Sequence, residues 1–404
     1  MSIVAEPAQR HVSSIGTTDQ LRRNNLSKIL GLLHQSGPFS RAELTRMTGL
    51  NRSTVGAVVT DLADLQLVYE RMPERGAKAG RPSPVVHIDH RTVAIAVNPE
   101  VDAVHVGLVS LGGRVLQHVR LEVDDTPSAE HVVELATAAI ADILSEQDRG
   151  LRVVGIGVAV PGQVRLSDGH LREATHMGWL EQPLAAMFER ATGHPAWAAN
   201  AAMLAMRAES TFGAVRNVDD LVYIIGGASG IGGGVLSGGR LLTGTAGYAG
   251  EFGHTFVRSC GTACHCGAHG CFEAEVTQQR LLDSVGLHAP EADLLAAALA
   301  DSTDPQVAAL VAQCLGLLGI VVRNAVNLFN PSVVVLSGFL AALHAAARDD
   351  DALVGESIRS ARESVRIQDA ALGADQLMLG AAELVFDELI ADPAACAARS
   401  PLAV

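Results

Sequence analysis

The spacing of apolar positions in the first ninety residues predicts three short helices. Apolar residues recur at helical intervals as far as Leu33, and Gly37-Pro38 ends this first helix. Ser40 and Glu43 form a capping-box pattern that opens the second helix, because each side chain can satisfy the other residue's free backbone N–H group. After a tight turn at 48–50, Asn51 is a good N-cap for a third helix, whose predicted inward residues are Val55, Val58, Val59, Leu62 and Leu65.

Two short apolar runs, 67–69 and 84–88, follow the third helix and are predicted to be strands. The segment between them, 71–83, is rich in glycine, proline and charged residues. Helices with a tight turn before the last of them, followed by two strands, predict a winged helix-turn-helix. We expect double-stranded DNA to contact Arg41, Arg52, Ser53, Thr54, Lys78 and Arg81, of which 52–54 begin the recognition helix and the last two lie on the wing. The alternative is a winged helix that binds a protein through a solvated, charged loop.

The rest of the chain predicts an α/β fold with two lobes. Apolar strands at 93–97, 103–109 and 115–123 are followed by an amphipathic helix at 131–144 and a buried strand at 153–160. This βββαβ order is how sugar-kinase and actin-like domains begin, and a second round starts at 221. We therefore predict a flexible N-terminus at 1–20, a winged helix domain at 21–90 and a two-lobed domain with a cleft at 91–404.

Charge is distributed unevenly between the two predicted domains. The chain carries a net charge of −14, but the part through His90 has eleven Lys/Arg and eight Asp/Glu, about +3. The remainder therefore carries about −17, and a basic head on an acidic body fits a DNA-reading module attached to a sensor. We see no signal peptide and no uninterrupted apolar run long enough to cross a bilayer, so we expect a cytoplasmic protein that is not in a membrane.

One histidine and three cysteines lie close together in a glycine-rich segment, at His254, Cys264, Cys266 and Cys271. Imidazole and thiolates together suit tetrahedral zinc, and four protein ligands predict a structural rather than a catalytic ion. Cys260 is an alternative ligand, and a disulfide or free buried thiols are the other interpretation. A disulfide is disfavoured because Cys264 and Cys266 are too close to bridge each other comfortably and the expected compartment is reducing.

The two motifs that carry this cluster resemble the signature of the ROK family, which contains repressors, open reading frames and sugar kinases. Residues 249–254 match the pattern A-G-E-x-G-H, and residues 264–273 match C-x-C-G-x-x-G-C-x-E without a gap. The resemblance implies that the winged helix is followed along the chain by a two-lobed sugar-kinase-like ROK domain, which contains a zinc site. It also implies that the residues binding sugar hydroxyls are Asn200, Glu251, His254 and Glu273.

The same resemblance identifies two kinase elements that this chain lacks. Where ROK kinases carry an Asp-x-Gly-Gly-Thr phosphate loop, this chain has 97–100, Val-Asn-Pro-Glu. Where they carry a general base after the asparagine, this chain has Ala201, whose methyl group cannot accept a proton. The glycine string 226–234 resembles the second phosphate loop, although a tight strand-turn-strand explains it equally well, and Phe339 stands where the family usually has small residues.

These features together predict a transcriptional regulator and not an enzyme. We expect a repressor of carbohydrate metabolism genes with a zinc cofactor, a DNA operator, a sugar or sugar-derivative effector and a homodimeric or homotetrameric assembly. The alternatives are a ROK sugar kinase that phosphorylates a hexose with ATP, and a regulator that is controlled by a protein partner.

Overall fold

A computed structural model describes residues 17–72, 84–146, 150–347 and 350–399. This part of the chain divides into two compact units, residues 17–89 with 387–399, and residues 90–386. The predicted wing residues Lys78 and Arg81 lie outside the described residues, as do residues 1–16 of the predicted flexible N-terminus.

The first unit begins with three helices and a small antiparallel sheet of order β1-β3-β2. The expected capping box of Ser40 and Glu43 is present, Gly49 adopts the left-handed conformation after the second helix, and the Asn51 side chain caps the third. Because these signals are local, they define the helix ends before any tertiary packing forms. The elements are α1 (Thr17–Ser36), β1 (Phe39–Ser40), α2 (Arg41–Thr48), α3 (Arg52–Asp64), β2 (Val68–Arg71) and β3 (Val85–Ile88).

The first lobe of the second unit has a five-stranded sheet of order β11-β7-β4-β5-β6, with a small antiparallel sheet beside it. The predicted βββαβ order is present. Helices α4 and α5 help to form the core on the sheet, with Phe188 and Ile95 among the buried residues. The elements are β4 (Thr92–Pro99), β5 (Ala103–Ser110), β6 (Arg114–Glu122), α4 (Ala129–Glu146), β7 (Arg152–Val160), β8 (Gln163–Arg165), β9 (His170–Ala174), β10 (Trp179–Gln182), α5 (Leu184–Thr192), β11 (Ala196–Asn200) and α6 (Ala201–Thr211).

The second lobe repeats the plan, with a five-stranded sheet of order β14-β13-β12-β15-β16. The cysteine segment lies between β14 and α7, and a one-turn 3₁₀ helix at Phe252–His254 precedes it. The elements are β12 (Leu221–Gly227), β13 (Gly230–Ser237), β14 (Arg240–Leu241), α7 (Phe272–Glu275), α8 (Gln278–Val285), α9 (Leu295–Asp301), α10 (Pro305–Phe329), β15 (Val333–Gly338), α11 (Phe339–Ala347), α12 (Asp350–Val354), α13 (Arg359–Arg362) and β16 (Arg366–Asp369). The next helix, α14 (Gln376–Ala391), returns to the first-lobe sheet, where Met378 and Ala381 pack against Gly107 and Gly157.

The last helix, α15 (Pro393–Arg399), belongs to the first unit together with the end of α14. It packs against α1, and Arg23 forms an ion pair with Asp392 at 3.3 Å. Since hydrophobic periodicity reports only that a helix has an apolar face, the sequence carries no signal for this pairing.

Helix α10 is long and apolar enough to span a membrane by length and composition alone, contrary to the expectation that no apolar run has this length. Arg323 is its one charged residue. Its buried residues, which include Leu318 and Val322, belong to the core of the second lobe. Core helices of globular proteins meet the same criteria, so the helix is weak support for a membrane location.

Candidate functional site

The four predicted metal ligands come together at one end of the second lobe. The ligand atoms of His254, Cys264, Cys266 and Cys271 all lie within 4.8 Å of one another. The Sγ atoms of Cys266 and Cys271 are 3.8 Å apart, and His254 Nδ1 is 3.7 Å from Cys264 Sγ. Ligands placed tetrahedrally at zinc–sulfur distance are about 3.8 Å apart, so these side chains fit a zinc ion. Cys260, the alternative ligand, is exposed and lies outside this group, and all six cysteines are free.

A short turn and one buried carboxylate shape the cysteine segment. The Cys264 amide donates to Ala268 O at 2.8 Å, which closes the turn that carries Cys264 and Cys266. Glu275, which is 5% exposed, accepts from the Thr262 amide at 2.5 Å and pairs with Arg258 at 3.3 Å. These bonds fix the segment from both ends, so the ligand positions do not depend on the metal alone.

Glu273 is the centre of the predicted sugar side. It is 6% exposed, and its Oε1 lies 3.2 Å from His176 Nε2, 3.4 Å from His254 Nδ1 and 3.3 Å from Cys264 Sγ. Although burial raises its pKa, the nearby rings of His176 and His254 hold the pKa of Glu273 below its usual value. Burial raises the pKa of the neighbouring Glu251.

His176 is a site residue that the sequence analysis missed. It follows β9, in the small sheet of the first lobe, and its ring packs against the ring of the exposed His265 with a centroid distance of 4.4 Å. The one signal in the sequence is a histidine in a short turn before Gly178, far from the zinc motif. No spacing rule connects such a turn to Glu273, so the contact could be found only from the structure.

Asn200 lines the same cleft from the first lobe and also caps helix α6. Its Oδ1 accepts from the Met203 amide at 3.0 Å, and its Nδ2 donates to Gly162 O at 2.9 Å. A carboxamide has further capacity on both atoms, so Asn200 can still bind a hydroxyl while remaining fixed. Ala201 follows it at the start of α6, and the cleft holds a methyl group at this position.

The glycines of the first zinc motif are required by close approach to strand β13. A Cβ atom on Gly253 would lie 2.2 Å from Ile231 O, and a Cβ on Gly250 would lie 2.7 Å from Gly233 O. Only residues without a side chain allow this segment to lie against the strand. This packing brings Glu251 and His254 to the edge of the cleft.

The phosphate side of the cleft differs in its chemistry from the sugar side. Asn98 is buried and donates to Ala159 O at 2.9 Å, so its amide is used within the sheet. Ser229, in the second glycine loop, donates a short hydrogen bond to Glu100 Oε2 and accepts one from the Val101 amide at 3.1 Å. Burial raises the pKa of Glu100 to about 6. The place of the first phosphate loop is therefore occupied by a carboxyl group.

Phe339 lies beside the second glycine loop, where a nucleotide base would be expected by resemblance to the kinases. Its side chain is 5% exposed, and a Cβ on Gly226 would lie 2.4 Å from the ring. The cleft as a whole is a cavity of about 700 Å³, to which both lobes contribute, and all four predicted sugar ligands line it.

The predicted DNA-contacting residues of the first unit have different surroundings. Arg52 and Ser53 are exposed at the start of α3, and Thr54 is half-buried. The Ser53 hydroxyl donates to Asn51 Oδ1 at 2.7 Å as part of the helix cap. Arg41 binds Glu70 through two hydrogen bonds of 2.7 and 2.6 Å, so its guanidinium joins α2 to strand β2.

Comparison with known proteins decides the family. The model of the ROK family matches residues 94–388, well over half of the chain. The chain belongs to the ROK family. The resemblance carried by the two zinc motifs is thereby confirmed.

ROK proteins of two kinds are similar to this chain. The xylose repressor of Bacillus subtilis is 26% identical over 385 residues, covering 92% of this chain and 97% of that protein. A solved ROK family transcriptional regulator, a homolog of the E. coli MLC protein, shares the fold with a TM-score of 0.74 at 23% identity, covering 92% of this chain and 98% of its own. The ROK glucokinase of Streptomyces griseus, solved with glucose and AMPPNP, has a TM-score of 0.62 at 25% identity, covering 73% of this chain and 99% of its own. Because ROK regulators and kinases share the fold, the site residues must distinguish them.

Proposed function

We propose that this protein is a transcriptional repressor of carbohydrate metabolism genes whose affinity for operator DNA is controlled by a sugar or sugar derivative in the cleft. The observation that carries the proposal is one cavity that brings together the four predicted sugar ligands and holds a methyl group where the kinases carry their base. Asn200, Glu251, His254 and Glu273 line one cavity, while Ala201 occupies the base position. The similarity to the xylose repressor, over almost the whole of both chains, supports the same class.

Phosphoryl transfer from ATP to a sugar hydroxyl requires a group that takes the hydroxyl proton and donors that hold the phosphates. Ala201 can do neither. Glu100, bound to Ser229, places a carboxyl group where the first phosphate loop would bind phosphate, and its negative charge opposes that binding. We therefore infer that the protein is not an enzyme, although solved ROK kinases share its fold.

We infer further that a zinc ion bound by His254, Cys264, Cys266 and Cys271 is structural, because four protein ligands leave no open position. When bound, zinc supplies a fixed coordination geometry to these side chains. The chain's own residues then do the recognition. Coordination through one ring nitrogen would orient His254. Glu273 follows the ligand Cys271 by two residues, so the same ion would also help to hold Glu273 for contacts with sugar hydroxyls.

For DNA recognition we propose that 21–90 form a winged helix domain, onto which helix α15 packs, and that the rest of 91–404 forms the sugar-sensing ROK domain. In this proposal Arg52, Ser53 and Thr54 enter the major groove, and Lys78 and Arg81 on the wing reach the minor groove. Arg41 joins the interface as a phosphate contact only if it leaves Glu70. A homodimer or homotetramer in the cytoplasm would present two such heads to a palindromic operator.

Control of DNA affinity would come from closure of the lobes on the sugar. Asn200 belongs to the first lobe, whereas Glu251, His254 and Glu273 belong to the second. A ligand that contacts both lobes favours the closed arrangement, because its affinity differs between open and closed forms. Coupling to DNA then requires that the two forms also differ in operator affinity, and the two effects are reciprocal.

The test is operator binding in the presence of sugars. Operator fragments would first be selected from random duplexes by the zinc-loaded, full-length protein, and fluorescence anisotropy would then measure affinity with each of a panel of monosaccharides. We expect one sugar class to lower operator affinity at least about tenfold, or 1.4 kcal/mol. The mechanism would be contradicted if no sugar in the panel changed the operator affinity. If the protein instead captured another protein specifically, control by a protein partner would be favoured.

A further inference from the structure

The hydrogen bonds of Ser229 join the two lobes at the phosphate side of the cleft. Glu100 and Val101 belong to the turn after β4 in the first lobe, and Ser229 belongs to the turn between β12 and β13 in the second. Ser229 accepts from the Val101 amide at 3.1 Å and donates to the Glu100 carboxylate. The Glu100 amide donates to Ala103 O at 2.8 Å, which fixes the turn that carries the carboxylate. Glu100 is therefore held in place from both lobes.

The described residues that line the cavity make it strongly acidic. Seven carboxyl groups line it, against a single arginine, Arg120. Arg120 is already neutralised, since its guanidinium pairs with Asp102 at 2.8 Å and with Glu122 at 2.7 Å. Within this part of the chain, the cavity therefore offers no arginine or lysine that could pair with a phosphate group.

The histidines of the cavity do not replace the missing cation. His105 and His118 contact each other, with 3.0 Å between ring nitrogens. Burial lowers the pKa of both, that of His105 to about 4, so both rings are neutral at pH 7. His176 and His254 both contact Glu273 Oε1, at 3.2 and 3.4 Å, so a carboxylate already faces each of these rings. A phosphate monoester carries nearly two negative charges at pH 7, and burying them without a partner is costly.

We propose that the effector is an uncharged, unphosphorylated sugar, and that Glu100 is the residue that excludes phosphate esters of the same sugar from the cleft. This inference rests on the proposed function, because it names the class of ligand that the sugar residues take. Ala201 marks the end of the cleft at which a kinase would phosphorylate its sugar. Strands β4 and β11 pair in parallel with opposite sides of β7, so Glu100 and Ala201 follow strand ends at the same edge of the sheet and line one cavity. A phosphate group at that edge would meet the carboxylate of Glu100 and the Gly227–Gly230 turn, whose Ser229 is hydrogen-bonded to Glu100. With a pKa of about 6, Glu100 is mostly ionised at pH 7.5.

The experiment is calorimetric titration of the zinc-loaded, full-length protein at pH 7.5. The probes are the same panel of monosaccharides, each paired with its phosphate ester, such as glucose with glucose 6-phosphate and N-acetylglucosamine with its 6-phosphate. Three proteins are compared: the unmodified chain, Glu100→Gln and Glu173→Gln. Glutamine at 100 keeps the shape and the acceptor for Ser229 but removes the charge. Glu173 is an exposed carboxylate on the same cavity, so Glu173→Gln is a control for the loss of one charge elsewhere.

We expect a free sugar to bind and its 6-phosphate to bind at least about a hundredfold more weakly to the unmodified chain. Glu100→Gln should recover at least about tenfold for the phosphate ester while changing free-sugar affinity less than about twofold, and Glu173→Gln should recover much less. A phosphate ester that binds the unmodified chain as tightly as the free sugar, or no recovery in Glu100→Gln, overturns the inference and leaves the sugar sensor intact. Absence of binding by every sugar, free or phosphorylated, overturns the proposed function and this inference with it.

Discussion

Gly230 lies where strand β13 begins and where the side chains of the sugar site come closest to the backbone. Its φ is +109°, a conformation that residues with a side chain rarely adopt. A Cβ atom would lie 2.8 Å from Glu273 Oε2 and 2.9 Å from His176 Nε2. Gly230→Ala therefore combines backbone strain with a steric conflict against two residues of the site.

The expected size of the effect follows from these two parts. A side chain in such a backbone conformation costs about 1–3 kcal/mol. The steric conflict adds roughly 1 kcal/mol or more, because Glu273 is 6% exposed and held by several partners, so it cannot simply move away. We expect the free energy of unfolding to fall by about 2–4 kcal/mol. Sugar affinity should fall about 10-fold to 100-fold, since each 1.4 kcal/mol of lost binding is tenfold.

Gly238, immediately after the same strand, provides the matched control. Its φ is +56°, and a Cβ atom there would meet no neighbour within 4 Å. Gly238→Ala should therefore lose only the backbone part, about 1–2 kcal/mol, and keep its sugar affinity. Urea unfolding and calorimetry of both variants make the comparison. Equal destabilisation of the two variants together with unchanged sugar affinity in Gly230→Ala would refute the placement of Glu273 and His176.

Three further predictions concern the metal, the pH dependence and the DNA head. Cys271→Ser should lower bound zinc, measured by mass spectrometry of metal content, by at least about tenfold and lower the unfolding temperature, and zinc retained at full occupancy would contradict the ligand set. Hydrogen bonding to Asp369 raises the pKa of His344 to about 8, so the stability it contributes is present below about pH 6.5 and is lost as pH rises through 8. After allowance for partial exposure this amounts to about 1 kcal/mol, and urea unfolding at pH 6 and pH 9 should show a smaller difference in His344→Gln than in the unmodified protein. Arg52→Ala should weaken binding to a selected operator by about 1–3 kcal/mol, whereas the same charge change in Arg359→Ala, on the second unit, should leave it unchanged.

Local signals in the sequence predicted the secondary structure well because their physics is local. The capping box at Ser40, the cap at Asn51 and the apolar runs of the β4 and β5 strands each depend on residues within a few positions of one another. The grouping of His254 with the three cysteines was also predictable, because a short loop with four potential ligand side chains leaves few other arrangements. In contrast, no local pattern indicated Asn200, Glu251 and Glu273 as sugar ligands, and they were predicted only from resemblance to a family.

Contacts between distant parts of the chain could not be predicted in this way. His176 meets Glu273 across almost a hundred residues, and Glu100 meets Ser229 across the cleft. No periodicity or residue spacing in the sequence marks either pair. Both contacts form only when the sheets of the two lobes have folded and brought the side chains together. Arg41 illustrates the same limit, since its sequence position suggested DNA but its guanidinium binds Glu70.

The proposed repressor binds sugar in its cleft and performs no phosphoryl transfer. The most direct measurement titrates the zinc-loaded protein with each monosaccharide, then adds ATP and magnesium to the same sample and assays sugar phosphate by mass spectrometry. We expect heat from a free sugar, no heat from ATP and no sugar phosphate above that of a protein-free control. Turnover of ATP with formation of sugar phosphate by the unmodified chain would contradict this proposal.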